Sequence, residues 1–198
     1  MNGKLVCFEG IDGSGKGTQV KRAIEAIPSA VLFNYPDKNW AVGRVIGRFL
    51  EKKTKLSPLH QFLLYASDIH KDQEKIRELV EEGKTVVLDR YIFSTLAYQA
   101  ASGFAMNKGL EIAEELGFLA PDLTILLDID PKTSVERKKK QNALLERFEK
   151  EKFLGKVRKN YLSLAKRKFL SKKWAVLDGE RSQAELAEEI RLLVLKER

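Results

Sequence analysis

Nine residues near the N-terminus, Gly10-Ile11-Asp12-Gly13-Ser14-Gly15-Lys16-Gly17-Thr18, combine the residue types needed to hold a phosphate. Glycines let successive backbone N–H groups turn inward around an anion, in conformations other residues resist. A helix that follows aims its positive end at the same anion, and Lys16 adds a point charge. The spacing from Gly10 to Lys16 meets the G-x-x-x-x-G-K pattern of a phosphate-binding loop. Its end is irregular. The hydroxyl usually found directly after the lysine is displaced by Gly17 to Thr18.

The elements needed to position such a loop are present. Lys4 to Phe8 reads as a short buried strand and Thr18 to Ile27 as a helix, giving strand, loop and helix in order. Strand and helix patterns then alternate. Ala30 to Tyr35 reads as a strand ended by Pro36, and Trp40 to Glu51 as a helix. A further helix opens at Ser57-Pro58, and another spans roughly Asp72 to Glu82, stopping at Gly83. Thr85 to Asp89, Leu123 to Asp128 and Trp174 to Asp178 are apolar runs that each end in aspartate. Such runs suit central parallel strands, whose C-terminal ends form the ligand edge of an open α/β sheet. Gln183 to Leu195 reads as a closing amphipathic helix. The fold class expected is α/β, a three-layer nucleotide-binding fold with helices on both faces of a parallel sheet.

With 198 residues and no linker or repeat, one domain spanning 1–198 is expected. No apolar run approaches the ~18 residues of a membrane span, and no signal peptide precedes the first strand. The lone Cys7, inside that strand, suits a small buried side chain and a reducing cytoplasm. The net charge of +8 raises the question of nucleic acid. Much of the excess lies between Lys132 and Lys173, with aromatics too sparse for base stacking, so no nucleic-acid partner is expected. A basic surface facing a polyphosphate suits that stretch better, and a solvated helix face accounts for most of its lysines.

A phosphate loop fixes the ligand and not the reaction. The discriminating residues are Asp89-Arg90-Tyr91 with Ser94, Tyr98 and Gln99, together with Tyr35-Pro36-Asp37, Leu63-Leu64-Tyr65, Pro121-Asp122-Leu123, Leu127 to Pro131, and Arg147-Phe148-Glu149. In this order and spacing, nearly end to end, the chain resembles the thymidylate kinases, which move a phosphoryl group from ATP to dTMP. The resemblance implies a P-loop kinase with a mobile basic lid, approximately residues 137–153. It implies Mg²⁺ as cofactor and a homodimer as the usual assembly.

Residue roles follow from the same resemblance. The loop from Gly10, Asp12, Gly13, Ser14 and Gly15 to Lys16, Gly17 and Thr18 would hold ATP, with Arg181 near the adenine. Arg90 would grip the acceptor phosphate, a task suited to a bidentate fork, or would form a structural ion pair with Asp89. Asp89, with Thr18 through water, would serve the metal. Asp12 would reach the sugar 3′-hydroxyl, Tyr98 would exclude a 2′-hydroxyl, and Tyr65 would stack on the base or belong to the core. Ser94, Thr95 and Gln99 would line the base site, and Lys38 stands where the family usually has arginine. Arg137 and Arg147 would supply the lid's transition-state cation, because Gly13 leaves the loop without an arginine. Glu149 fits either the metal or a lid ion pair.

One departure bears on the base. Four residues beyond Tyr65, where the family usually places an arginine that reads thymine, this chain has Ile69, with His70 beside it. A related kinase of relaxed or different base choice, acting on dUMP for example, is the close alternative. A regulatory nucleotide switch and a basic nucleic-acid-binding protein are the rivals from other classes.

Overall fold

Each apolar run that ends in aspartate is a strand of one parallel sheet in the computed structural model, which describes residues 3–140 and 150–196. Lys4–Gly10 (β1) leads into Lys16–Ala26 (α1), followed by Val31–Asn34 (β2), Ala41–Leu50 (α2), Pro58–His70 (α3), Gln73–Glu81 (α4) and Thr85–Asp89 (β3). Ile92–Ala101 (α5), Met106–Glu115 (α6), Leu123–Asp128 (β4), Pro131–Lys140 (α7), Glu151–Lys166 (α8), Trp174–Asp178 (β5) and Gln183–Lys196 (α9) complete the order. The five-stranded sheet runs β2-β3-β1-β4-β5, with all pairings parallel.

Side-chain alternation along β1 divides the interior in two. Val6 and Phe8 face a smaller cluster with Val20 and Ala23 of α1 and Leu186, Ile190 and Val194 of α9. Leu5 and Cys7 face the larger cluster, built with α3, α4, α5, α6 and α8. Helices therefore cover both faces, as the near-continuous apolar strands require. Cys7 is fully buried there, as its place in the strand suggested.

The structure moves several sequence boundaries. The first helix begins at Lys16, not Thr18, because Lys16 and Gly17 already belong to it. The segment expected as a lid over 137–153 overlaps helices at both ends. Arg137 to Lys140 belong to α7, and α8 opens at Glu151. Residues 141–149, which hold Arg147 and Glu149, lie outside the described residues.

Gly43 in α2 fixes how that helix meets the loop after β2. A Cβ at this position would stand 1.9 Å from the Asp37 carbonyl oxygen, which belongs to backbone that cannot swing away. Gly43→Ala is therefore expected to destabilise the fold by about 2–3 kcal/mol, read from the urea midpoint. A wild-type midpoint would show that α2 and the loop separate freely.

Candidate active site

The site forms where β1 and β3 end side by side. Phe8 lies in register with Asp89, and Arg90 N donates to the Phe8 carbonyl at 3.0 Å. The phosphate loop and the Asp89-Arg90-Tyr91 turn are thus neighbours. Arg90 takes a left-handed backbone (φ 71°), unusual for a side chain of its size.

The loop itself has the expected geometry. Gly13 and Gly15 have φ of 76° and 88°, and Gly15 caps α1. Ser14 is buried beneath the loop, its N–H on the Ile11 carbonyl at 3.1 Å. Gly17 is already helical, and open space surrounds the position of a Cβ there, so sterics do not demand the glycine. Lys16 forms an ion pair with Asp89. Burial pushes the Lys16 ammonium below its ordinary range and nearby Arg90 adds to this, while Asp89 pulls the other way.

Arg90 pairs with a different acid, Asp12. Its Nη2 lies 2.5 Å from Asp12 Oδ1, while Nη1 lies 3.3 Å from Ser94 Oγ and 3.4 Å from the Gly10 carbonyl. The guanidinium sits over the Tyr98 ring at 5.5 Å, and Tyr98 Oη donates to Asp12 Oδ2 at 3.4 Å. Arg90's ion-pair partner is Asp12, so the expected alternative of a pair with Asp89 gives way to Lys16–Asp89.

The residues expected on the acceptor side share one cavity of about 520 Å³: Asp12, Lys38, Tyr65, Arg90, Ser94, Thr95, Tyr98 and Gln99. Helix α5 supplies the last four, because positions 94, 95, 98 and 99 recur at helical spacing on one face. Thr95 Oγ1 and Gln99 Oε1 are buried without a hydrogen-bond partner among the described residues. Ile69 also lines the cavity and is 1% exposed. His70 turns elsewhere, onto the Leu116 carbonyl at 3.1 Å and the edge of Phe118, and does not replace a base-reading arginine. Lys38 is exposed at the cavity edge.

The donor side is held by α7. Ser134 Oγ donates to the Asp12 carbonyl at 2.6 Å, and Arg137 spans the Gly13 and Gly179 carbonyls at 3.2 Å. Arg137 thereby ties the phosphate loop to the turn after β5. Arg181 is exposed and pairs with Glu189 of α9 at 2.5 Å.

Two features have no role assigned from sequence, although Phe8-Glu9-Gly10 and Tyr35-Pro36-Asp37 belong to the family pattern. Lys71 pairs with Asp72 and lies 3.3 Å from Asp37, whose N–H bonds Asp68 at 2.8 Å, anchoring the loop that carries Lys38. Glu9, fully buried, gathers Tyr91, Ser94 and Tyr161 around its carboxylate. Alternation along β1 was the available signal, since Glu9 shares a face with Leu5 and Cys7.

Among the described residues, no group of three or more His, Cys, Asp or Glu side chains is arranged to hold a metal.

Known proteins match this chain in sequence and fold. The family model described as thymidylate kinase matches residues 8–190. The thymidylate kinase of Thermoanaerobacter sp. is 36% identical over 191 residues, covering 90% of this chain and 91% of its own. The probable thymidylate kinase of Methanococcoides burtonii is 35% identical over 199 residues, covering 96% and 95%. A thymidylate kinase structure from Candida albicans superposes with a TM-score of 0.83 at 25% identity, covering 99% of this chain and 92% of that one. With its phosphate loop and acceptor cavity joined at the ends of β1 and β3, the chain belongs to the thymidylate kinase family.

Proposed function

We infer that this chain is an ATP-dependent kinase that phosphorylates dTMP to dTDP, the activity of its family. The observation that carries the residue-level reading is the single cavity that joins Arg90, Tyr98 and Gln99 to a phosphate loop carrying Lys16. A switch that only binds and hydrolyses one nucleotide has no use for such a cavity. Phosphoryl transfer asks the protein mainly to align two phosphates and to balance the charge between them.

In our reading, Lys16 and the loop amides hold the donor phosphates while Arg90 holds the acceptor phosphate. Both cations start in ion pairs, Lys16 with Asp89 and Arg90 with Asp12. Substrate phosphate then replaces carboxylate, so neither cation is left uncompensated in a dry site. Asp12, released from Arg90, becomes free to accept from the sugar 3′-hydroxyl. The Tyr98 ring fills the space beside C2′, and Tyr65 stacks on the base. Gln99 and Thr95 offer their unpaired atoms to the base edge, which Ile69 flanks with an apolar wall.

Mg²⁺ is the proposed cofactor. It retains waters and takes only one or two protein carboxylates beside substrate phosphates, so Asp89, with Thr18 through water, is a sufficient protein share. When bound, it would neutralise charge on the donor phosphates. Arg137, bonded to the Gly13 carbonyl, stands close to where the donor phosphates would lie, and it and Arg147 remain the proposed transition-state cations. We assign Arg181 and the turn around Gly179 to the adenine side. We read 1–198 as one domain acting in the cytoplasm, with the basic helices serving phosphates and not nucleic acid. Among the described residues, no helix is long and apolar enough to cross a membrane. Val45 on α2 and Leu59 and Leu63 on α3, two helices in contact, are exposed apolar side chains that we assign to a homodimer interface.

Two measurements test this reading. In a coupled ADP assay, dTMP is expected to exceed dCMP in kcat/KM by about tenfold or more, with dUMP between them. Equal values would remove the base assignment and leave the kinase reaction. Tyr98→Ala is expected to raise the ribonucleotide-to-deoxynucleotide ratio of kcat/KM by about tenfold. An unchanged ratio would take the ring out of sugar selection.

A further inference from the structure

The buried acid on β1 has no role in the reading above, yet it touches the parts that do. Glu9 is 0% exposed and accepts at both oxygens. Tyr91 N donates to Oε1 at 2.8 Å and Ser94 N at 3.2 Å. Ser94 Oγ lies 2.5 Å from Oε2, and Tyr161 Oη 2.9 Å from it. The two N–H groups belong to the first turn of α5, whose N-cap residue, Tyr91, makes no side-chain cap. Glu9 therefore caps α5 from another element and sets a negative charge at the helix's positive end. Tyr161 adds α8 to the same anchor. Burial pushes the Glu9 carboxyl up, while Arg90 and the hydrogen bonds from Ser94 and Tyr161 pull it back.

The direction of one hydroxyl follows. A carboxylate only accepts, so the short contact to Oε2 uses the Ser94 hydrogen. Of the two lone pairs left on Ser94 Oγ, one meets Tyr161 Oη at 2.8 Å and the other faces Arg90 Nη1, 3.3 Å away. Ser94, expected at the base, is thereby committed to the phosphate side. Resting on the reading that Arg90 holds the acceptor phosphate, we propose that Glu9 is a positioning residue for that clamp. Its carboxylate orients Ser94 to accept from Arg90, and so steadies the guanidinium when the phosphate displaces Asp12.

The test uses Glu9→Gln, Ser94→Ala, the double variant and Arg90→Ala in the full chain. Steady-state KM is measured for dTMP and for ATP, alongside thermal unfolding. Glutamine keeps the shape, and its amide oxygen still serves the two N–H groups. Its NH₂ faces the hydroxyls and turns the Ser94 hydrogen toward Arg90. Glu9→Gln is expected to raise KM for dTMP about tenfold and to leave KM for ATP within about twofold. Ser94→Ala is expected to raise KM for dTMP several-fold without altering the dTMP-to-dCMP preference. Adding Glu9→Gln to Ser94→Ala is expected to change KM for dTMP by less than about twofold, because the serine that transmits the effect is gone. Arg90→Ala is expected to raise it about a hundredfold.

Equal effects of Glu9→Gln in both backgrounds would overturn the proposal, as would an equal rise in both KM values with lowered thermal stability. A changed base preference in Ser94→Ala would return that residue to the base and overturn it too. Should Glu9→Gln not fold, a wild-type KM for dTMP in Ser94→Ala is sufficient to overturn it. A wild-type KM in Arg90→Ala would instead remove the phosphate assignment beneath the proposal.

Discussion

The parallel pairing that sets Phe8 beside Asp89 places the two buried ion pairs of the site, Lys16–Asp89 and Arg90–Asp12. It brings the end of the strand before the phosphate loop against the end of the strand before the acceptor turn. Arg90 N on the Phe8 carbonyl extends this pairing past the strands, and Tyr35 N on the Asp89 carbonyl does the same between β2 and β3. Lys16 can then reach Asp89, and Arg90 can reach Asp12, across the same seam. A slip of one residue would turn each side chain of β3 to the opposite face. Val86 and Leu88 would leave the large cluster, so the packing that stabilises the sheet also enforces the register the site needs.

Water exclusion makes these pairs matter. An exposed pair such as Lys21–Glu25 contributes little, because solvent screens it and both chains lose freedom. Lys16 and Asp89 have side chains only 11% and 14% exposed, and Arg90 and Asp12 only 19% and 25%. Cations held that dry require a counter-charge at every stage, and removing one partner is costly. Pairing each of these cations with a carboxylate keeps the site foldable, and under the proposed roles substrate phosphate would take the carboxylate's place. The Lys71 group differs in kind. Its ammonium is tied to Asp37, Asp68 and Asp72 and lies over the Tyr35 and Trp40 rings, so it is an anchor.

Local patterns reveal the strands and the phosphate loop, because each depends on a few adjacent residues. The apolar runs ending in Asp89, Asp128 and Asp178 are strands with those ends. Helix α5 was harder to see. Ile92, Phe93, Thr95, Leu96, Ala97, Tyr98 and Gln99 are all buried, so no polar stripe marks a helical period. Arg137 is a second case: its guanidinium is bound to two backbone carbonyls, a contact made by the fold alone. Arg90's choice of Asp12 over the adjacent Asp89 is likewise set by tertiary geometry.

How the base is chosen follows from what the cavity lacks. With Ile69 on its wall and His70 turned to Phe118, the α3 side offers the base no cation. The hydrogen-bonding atoms left unpaired there, Thr95 Oγ1 and Gln99 Oε1, belong to one helix and are neutral. A buried amide oxygen left without a donor is unfavourable, so it discriminates through the bases that fail to satisfy it. That oxygen suits an N–H edge, as thymine and uracil present at N3. Discrimination between those two must then come from the apolar surroundings of Ile69, where a methyl group gains contact area. One methylene-sized contact in an apolar pocket discriminates by only ~10–200-fold, so under the proposed assignment of Thr95 and Gln99 to the base the N–H edge would be read more strictly than the methyl.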